Sequence, residues 1–185
     1  MRILVGYASK YGSTRQIAQR IAEKLRDGGH KASSLDVWHA DPTSYDAFVI
    51  GSSAYINSWL KNARAFVFKH RELLAQRPVW LFSSGPLGFS PVDPQGRDQL
   101  DTAEPREFAE FADEIRPRGT KVFYGKLDPA RLNMRDRFIR AMPGATELMP
   151  AGDFRDWEAI EAWAEHISLE LPIGVDTDKR YGRET

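Results

Sequence analysis

Short apolar runs alternate with segments of helical periodicity along this chain. The apolar runs span residues 3–8, 32–37, 47–51, 79–83 and 121–125. The runs around Val5, Val49 and Leu81 are almost continuously apolar, which is typical of strands that are covered on both faces. Strands that alternate with helices predict an α/β fold built on one five-stranded parallel sheet.

The segments between these runs show the periodicity of amphipathic helices. Ile17, Ile21 and Leu25 recur at four-residue spacing, and Gly28 and Gly29 end this first helix. A second helix is predicted over residues 60–74. A third helix stops at Pro117, and its apolar face comprises Phe108, Phe111 and Ile115. The apolar face of the last helix comprises Trp157, Ile160, Ala164 and Ile167. Right-handed crossovers then favour a doubly wound sheet with strand order 2-1-3-4-5 and helices on both faces.

Length and composition agree with one globular domain. The chain has 185 residues, of which 42% are hydrophobic and 11% aromatic, so one core can form. We expect this domain to cover residues 1–171, followed by a polar tail over residues 172–185.

The absence of cysteine excludes disulfides, thiolate metal sites and cysteine nucleophiles. Without a signal-peptide pattern or an apolar run of about 20 residues, a cytoplasmic location is expected.

Charge narrows the choice of partners. The 26 basic and 26 acidic side chains give a net charge of +0, so nothing favours nucleic acid as a partner.

The four histidines are scattered without ligand-like spacing, and no metal site is expected. A serine hydrolase would need a Gly-x-Ser-x-Gly elbow, which is absent. A response-regulator receiver would need acidic residues after strand one and an aspartate after strand three, where this chain has Ala8-Ser9 and Gly51-Ser52.

The turn after the first strand has the composition of a phosphate-binding loop. Its residues are Ser9, Lys10, Tyr11, Gly12, Ser13 and Thr14. The three hydroxyls can donate to an anion, glycine permits a close approach of the backbone, and the following helix directs free N–H groups at the same point. Neither the G-x-G-x-x-G motif nor the Gly-Lys-Ser/Thr of a Walker A loop is present.

A hydroxyl-lined loop in this position resembles that of the flavodoxin family, whose loop clamps the phosphate of flavin mononucleotide (FMN). The resemblance implies that FMN is the cofactor, while a deazaflavin or an empty fold stays open. Electron-shuttling flavodoxins are typically strongly acidic, and this neutral chain lacks the surplus charge that steers such proteins to basic partners.

Two further loops fall at the carboxyl ends of strands three and four, where ligands bind in such sheets. With the resemblance, they predict contacts to the flavin ring: backbone amides on its pyrimidine edge, and Tyr55, Trp59 or Phe89 on a ring face. The candidate residues of these two loops are Ser52, Ser53, Ala54 and Tyr55, and Ser84, Gly85, Pro86, Leu87 and Gly88.

A narrower resemblance covers most of residues 1–171. The chain is similar here to the branch that includes menaquinone-dependent protoporphyrinogen oxidase. The similar segments are the opening loop through Thr14, residues 49–55, the helix that begins near Ala63 with Phe66-Val67 and Lys69-His70, residues 125–127, residues 135–139 and Asp156-Trp157. Members of that branch bind FMN and pass electrons to a quinone at the membrane. The Pro/Gly-rich loop over residues 85–105 lies outside this resemblance.

Residues 128–150 exceed what a minimal fold of this kind needs between strand five and the last helix. Within them, Leu132, Phe138, Ile139 and Met142 alternate with Arg131, Arg135, Arg137 and Arg140. This stretch, over residues 131–142, could contact an anionic membrane or line a quinone or porphyrin site, or it could cover the sheet with its arginines in water.

Two functional classes therefore remain. One is an FMN-dependent oxidoreductase that acts on a porphyrinogen- or quinone-type substrate, and the other is an FMN electron carrier that works with a redox partner. Because the cofactor itself carries the electrons, no side chain is assigned as a general acid or base.

Overall fold

The computed structural model describes residues 1–88, 92, 96 and 98–173. Five strands form one parallel sheet in the order β2-β1-β3-β4-β5, as predicted. Their bounds are β1 Arg2–Ala8, β2 Lys31–Asp36, β3 Ala47–Ser53, β4 Val79–Ser84 and β5 Gly119–Phe123. Strand β5 begins and ends two residues earlier than predicted, because Gly119 pairs with Trp80 and Phe123 with Ser84, where β4 ends.

The helices and the second, small sheet follow in chain order. The helices are α1 Ser13–Asp27, α2 Lys61–Leu74, α3 Gln99–Thr102, α4 Arg106–Ile115, α5 Met134–Arg140, α6 Ala145–Leu148 and α7 Trp157–Glu170. Single 3-10 turns lie at Pro42–Ser44 and Pro129–Arg131, and β6 Lys126–Leu127 pairs antiparallel with β7 Gly152–Asp153. Because Arg116 adopts a left-handed conformation at φ 45°, α4 ends before the predicted stop at Pro117.

The two faces of the sheet carry separate apolar clusters. Helices α1 and α7 cover one face, where Ile17 and Ile160 share a cluster with Val5. Helices α2 and α4 cover the other face, where Val67 and Phe111 pack with the cluster of Leu4. Successive side chains of a strand point to opposite faces, so β1 contributes to both clusters and is fully buried at its centre.

The connection from β5 to α7 lies outside this layered core. It contains β6, α5, α6 and β7, and its buried apolar side chains include Leu127, Leu132 and Phe154. Met134 and Phe138 are instead 86% and 73% exposed, so α5 does not place its apolar residues on the sheet. The interpretation of this segment as an ordinary cover of the sheet is therefore wrong for α5.

None of the helices in the described part of the chain is long and apolar enough to cross a membrane. Of the predicted polar tail, Pro172 and Ile173 follow α7, and the rest lies outside the described residues. The division into a domain and a tail stays a prediction.

Candidate functional site

A cavity of about 580 Å³ opens at the carboxyl edge of the sheet, where β1, β3 and β4 end. The three loops singled out in the sequence meet there. Of the predicted residues, those that line the cavity are Ser9, Lys10, Tyr11, Ser13, Thr14, Ser53, Ala54, Tyr55, Ser84, Gly85 and Leu87. Its volume falls within the range of small-molecule sites, about 300–1,000 Å³.

The remaining predicted residues lie close to the cavity without lining it. Gly12 faces an adjoining pocket on the outer side of the phosphate loop. Ser52 is fully buried, where its hydroxyl donates to the carbonyl of Ser53 and accepts from the N–H of Leu60. The carbonyl of Pro86 accepts from the N–H of Gly125 at 2.8 Å. Gly88 adopts a φ of +115° in the turn that leaves the site, and Phe89 lies outside the described residues.

The phosphate loop is shaped by its own hydrogen bonds. The hydroxyl of Ser9 accepts from the N–H of Gly12 at 3.0 Å, and that of Ser13 accepts from the N–H of Lys126 at 3.1 Å. A hydroxyl that accepts still has a proton to donate, so both can serve an anion. Thr14 differs, since it is fully buried and its hydroxyl lies 2.8 Å from that of Ser84.

The N-terminus of α1 adds backbone donors at the same point. The helix begins after Gly12, which has a φ of +91°, and neither a side-chain cap nor an acidic residue occupies its first turn. The first N–H groups of a helix have no partner within it, and they carry the positive end of its dipole. The loop and the helix together therefore form a cradle suited to a phosphate.

The second loop folds back as a tight hairpin that carries an aromatic residue to the cavity. Tyr55 and Ser58 exchange backbone hydrogen bonds at 2.9 and 3.2 Å. Between them, Ile56 and Asn57 both have a φ of 51°, as in type I′ turns. Desolvation around its hydroxyl raises the pKa of Tyr55 to about 12, so Tyr55 is neutral across the physiological range.

Trp59, which was expected as another ring cover, belongs to the core. It is 3% exposed and makes edge contacts with Phe108 and Phe111, with ring centroids 5.9 and 5.8 Å apart. Its backbone N–H donates to the buried carboxylate of Glu107 at 3.0 Å, which also accepts from the hydroxyl of Ser58 at 2.9 Å. Glu107 therefore fixes the hairpin, and Tyr55 is the hairpin aromatic that reaches the cavity.

The connection between β5 and α7 forms a further wall, which includes part of the stretch over residues 131–142 that the sequence offered as the lining of a quinone or porphyrin site. This wall consists of Gly125, Lys126, Leu127, Arg135, Asp136, Ile139 and Met149. The alternation of basic and apolar residues over 131–142 was visible, but its contacts with a loop over one hundred residues earlier had no local signal. Ile56, at the tip of the hairpin, also lines the cavity and was not predicted.

The chemistry of the lining fits a phosphorylated, flat aromatic molecule. The hydroxyl of Ser53 is buried and has no hydrogen-bond partner among the described residues, so the site has an unused polar group for a ligand. The basic lining side chains Lys10 and Lys126 can balance a phosphate, and Tyr55 with Leu87 supplies surface for a ring.

A sequence model of the flavodoxin domain matches residues 4–146. The chain belongs to this family. The match includes the phosphate loop, the hairpin loop and α5, so the flavodoxin domain extends over nearly all the elements that form the cavity.

Named relatives and solved structures agree with the family assignment. The chain is 26% identical over 176 residues to protoporphyrinogen IX dehydrogenase (quinone) of Escherichia coli K12, covering 91% of this chain and 95% of that protein. A flavodoxin from the domain Archaea superposes with a TM-score of 0.55 at 16% identity, over 92% of this chain and 98% of its own. A flavodoxin of Pseudomonas aeruginosa, solved as a cysteine-to-serine mutant, gives 0.54 at 15% identity, over 92% and 99%. These two structures show the fold.

The cofactor of this flavodoxin domain is FMN, in agreement with the family match and with the donor set of the cradle.

Proposed function

We propose that this protein is an FMN-dependent oxidoreductase that transfers electrons between a porphyrinogen- or quinone-type substrate and an acceptor. The observation that carries this proposal is the wall contributed by the β5–α7 connection, which adds apolar and basic side chains to the cavity. The 26% identity to a protein named protoporphyrinogen IX dehydrogenase (quinone) supports the substrate class.

In this proposal the cradle holds the cofactor phosphate. Ser9, Ser13 and Thr14 face it with the first N–H groups of α1, while Tyr55 covers one face of the ring. The other proposed contacts come from Lys10, Tyr11 and Gly12, from Ser52, Ser53 and Ala54, and from Ser84, Gly85, Pro86, Leu87 and Gly88. When bound, FMN supplies the capacity to accept and release electrons, and the protein supplies orientation, access and electrostatics.

The added wall matches a flat apolar substrate with acidic or polar groups at its rim. Leu127, Ile139 and Met149 provide apolar surface beside the cavity. The guanidinium of Arg135 is exposed and has no hydrogen bond or ion pair with any residue that the structure describes, so it is free to bind a carboxylate or a quinone oxygen. Lys126 is partly committed, since its ammonium lies 3.6 Å from Asp153.

We also propose a peripheral membrane contact through residues 131–142. Met134, Phe138 and Met142 are 86%, 73% and 53% exposed, and Ile56 at the hairpin tip is fully exposed. Arginines alternate with these apolar side chains, and such a mixture binds anionic lipid surfaces. A substrate dissolved in the bilayer would then reach the cavity from the side where α5 lies, which fits a cytoplasmic protein at the inner face of the membrane.

The substrate proposal is tested with Arg135→Glu, compared with Lys69→Glu on the exposed side of α2. Arg135→Glu should keep FMN affinity and lower kcat/KM for protoporphyrinogen oxidation with a menaquinone analogue by about tenfold, the usual worth of one charged hydrogen bond. Lys69→Glu should match wild type. Equal turnover in all three proteins would contradict the proposal and favour an FMN electron carrier, above all if a partner reductase rapidly reduces the flavin.

The membrane proposal is tested by sedimentation with anionic vesicles. Met134→Ser with Phe138→Ser should weaken vesicle binding by about tenfold or more, because two apolar side chains that would insert into the bilayer are lost. Leu169→Ser is the matched control, since Leu169 on α7 is 85% exposed and lies outside the segment. If both variants bind vesicles as wild type does, α5 makes no membrane contact.

A further inference from the structure

The outer side of the phosphate loop is covered by the β5–α7 connection. The ammonium of Lys10 lies 2.6 Å from the Oδ2 atom of Asp136, and the hydroxyl of Tyr11 donates to the same oxygen. A Cβ atom on Gly12 would lie 3.4 Å from the Nη1 atom of Arg131. Three consecutive loop residues are thus in contact with, or close to, side chains from residues 131–136.

Asp136 occupies a central place in these contacts. Its side chain is 14% exposed, and it is the acidic residue among the described residues that line the cavity. Hydrogen bonds from Lys10 and then from Tyr11 hold the pKa of Asp136 below its usual value. The carboxylate is therefore charged at neutral pH and fixed between two residues of the loop.

The same contact arranges the aromatic wall. Held by Asp136, the ammonium of Lys10 lies 5.2 Å from the ring centroid of Tyr11 and 5.4 Å from that of Tyr55. Cations at such distances are attracted to the ring faces. One carboxylate on α5 thereby positions a side chain that links the phosphate loop to the hairpin.

Helix α5 has few other links to the rest of the molecule. Arg137 donates to the carbonyl of Ala130 and Arg140 to that of Met149, and both contacts lie within the connection itself. Met134 and Phe138 on α5 are exposed, while Leu132 just before the helix is buried. Asp136 is therefore the side chain of α5 that links the helix directly to the phosphate loop, through Lys10 and Tyr11.

We propose that Asp136 is a positioning residue of the cofactor site, which holds the phosphate loop in its cradle conformation and attaches α5 to it. This inference rests on the proposed placement of the FMN phosphate in the cradle of Ser9–Thr14. Bound FMN stabilises the ordered loop, and the ordered loop in turn stabilises α5 in contact with it. By thermodynamic linkage, the contact of α5 with the loop must strengthen FMN binding by the same factor. Riboflavin, which lacks the phosphate, does not order the loop and leaves α5 as it is in the free protein.

The experiment measures the rate of trypsin cleavage after Arg140, the last residue of α5, by mass spectrometry, because Asp136 does not flank that bond and its replacement leaves the cleavage site itself unchanged. Wild type is compared with Asp136→Asn and with Asp128→Asn, a matched control in the same connection. Asp128 caps its own turn and pairs with Arg131 at 3.6 Å, outside the phosphate loop. Each protein is digested alone, with FMN and with riboflavin, each ligand at saturation.

The coupling predicts that FMN slows cleavage of wild type by about fivefold or more, the lower end of ordinary allosteric coupling, and that riboflavin hardly slows it. Asp136→Asn should be cut about fivefold faster than wild type without ligand, and FMN should no longer protect it. Asp128→Asn should behave as wild type. Full protection of Asp136→Asn by FMN, or equal cleavage of the free proteins, would overturn the inference.

Two further results separate causes of failure. If Asp136→Asn does not fold, Lys10→Met removes the same contact from the loop side, and the same loss of protection is expected. If wild type shows no quenching of FMN fluorescence, the proposed cofactor site fails, while the cleavage rates of the free proteins still test the attachment of α5.

Discussion

At the residue scale, the hydroxyls of the phosphate loop differ in what they already bind. Ser9 accepts a hydrogen bond from Gly12 and keeps its own proton for a ligand. Thr14 is fully buried and shares a hydrogen bond with Ser84. Replacement of Ser9 therefore tests recognition of the phosphate, whereas replacement of Thr14 also tests a buried hydrogen bond of the fold. The sequence alone presents the two residues as equivalent donors.

Ser9→Ala should weaken FMN binding by about 1–3 kcal/mol, the cost of losing a hydrogen bond to a charged group, and should leave riboflavin binding nearly unchanged. Thr14→Ala should weaken FMN binding and also lower the free energy of unfolding, because the buried hydroxyl of Ser84 loses its partner. Fluorescence quenching titrations with both ligands and urea unfolding check these results. If Ser9→Ala loses affinity for FMN and riboflavin equally, Ser9 shapes the loop without recognising phosphate.

At the scale of elements, the hairpin after β3 is fastened by α4. Glu107, fully buried in the first turn of α4, accepts from both Ser58 and Trp59. Asn57 adds a hydrogen bond from its side chain to the carbonyl of Thr102 at 3.1 Å. The aromatic wall of the cavity is therefore positioned by a helix that does not itself line it.

This arrangement predicts a pH-dependent contribution to stability. Desolvation alone would raise the pKa of Glu107, but the hydrogen bonds from Trp59 and Ser58 outweigh it and hold the pKa below the ordinary value of 4.5. A carboxyl whose pKa is lowered by folding stabilises the protein above its unfolded pKa, and this stabilisation is lost as the pH falls through the folded pKa. Glu107→Gln should thus lower the free energy of unfolding at pH 6 by about 1–3 kcal/mol.

As the pH falls from the unfolded pKa of Glu107 through its lower folded pKa, the difference between wild type and Glu107→Gln should shrink, because the wild-type carboxyl becomes neutral, as the glutamine amide is. Urea unfolding of both proteins between pH 3 and pH 6 measures this difference, in which the other acidic groups cancel. A difference that stays constant across this range would mean that Glu107 acts through packing and not through its charge.

The sequence predicted those elements whose signals are local. The strands around Val5, Val49 and Leu81 and the face of Ile17, Ile21 and Leu25 follow from hydrophobic periodicity alone, and strand order follows from the handedness of crossovers. The contact of Lys10 with Asp136 spans 126 residues, and no pattern within one segment encodes it. Trp59 was misjudged for a related reason, since its burial depends on Phe108 and Phe111 of a distant helix.

At the scale of the whole molecule, the cavity joins parts of the chain from Ser9 to Met149. FMN in its proposed position contacts the loops after three strands at once. It therefore binds the folded state and has no comparable site on the unfolded chain. Its binding raises the free energy of unfolding of the whole domain.

Saturating FMN should raise the free energy of unfolding by about 2.7 kcal/mol at one hundred times its Kd, which differential scanning calorimetry detects as an increase in Tm. The purified protein should be yellow and should release FMN on denaturation, since no covalent attachment is expected. Riboflavin at the same multiple of its own Kd is the control and should give a similar increase. A Tm that does not respond to FMN would contradict a cofactor site built from these loops.

Helix α7 closes the face of the sheet on which α1 lies, although the two helices are at opposite ends of the chain. Ile160, Ala164 and Ile167 complete the cluster of Ile17 and Ile21. On the ribosome, α1 keeps its apolar face uncovered until α7, which begins about 130 residues after α1 ends, has been translated. At about 5–20 residues per second, chaperones have on the order of ten seconds to bind that face, and the lining of the cavity is complete only after Met149 has been translated.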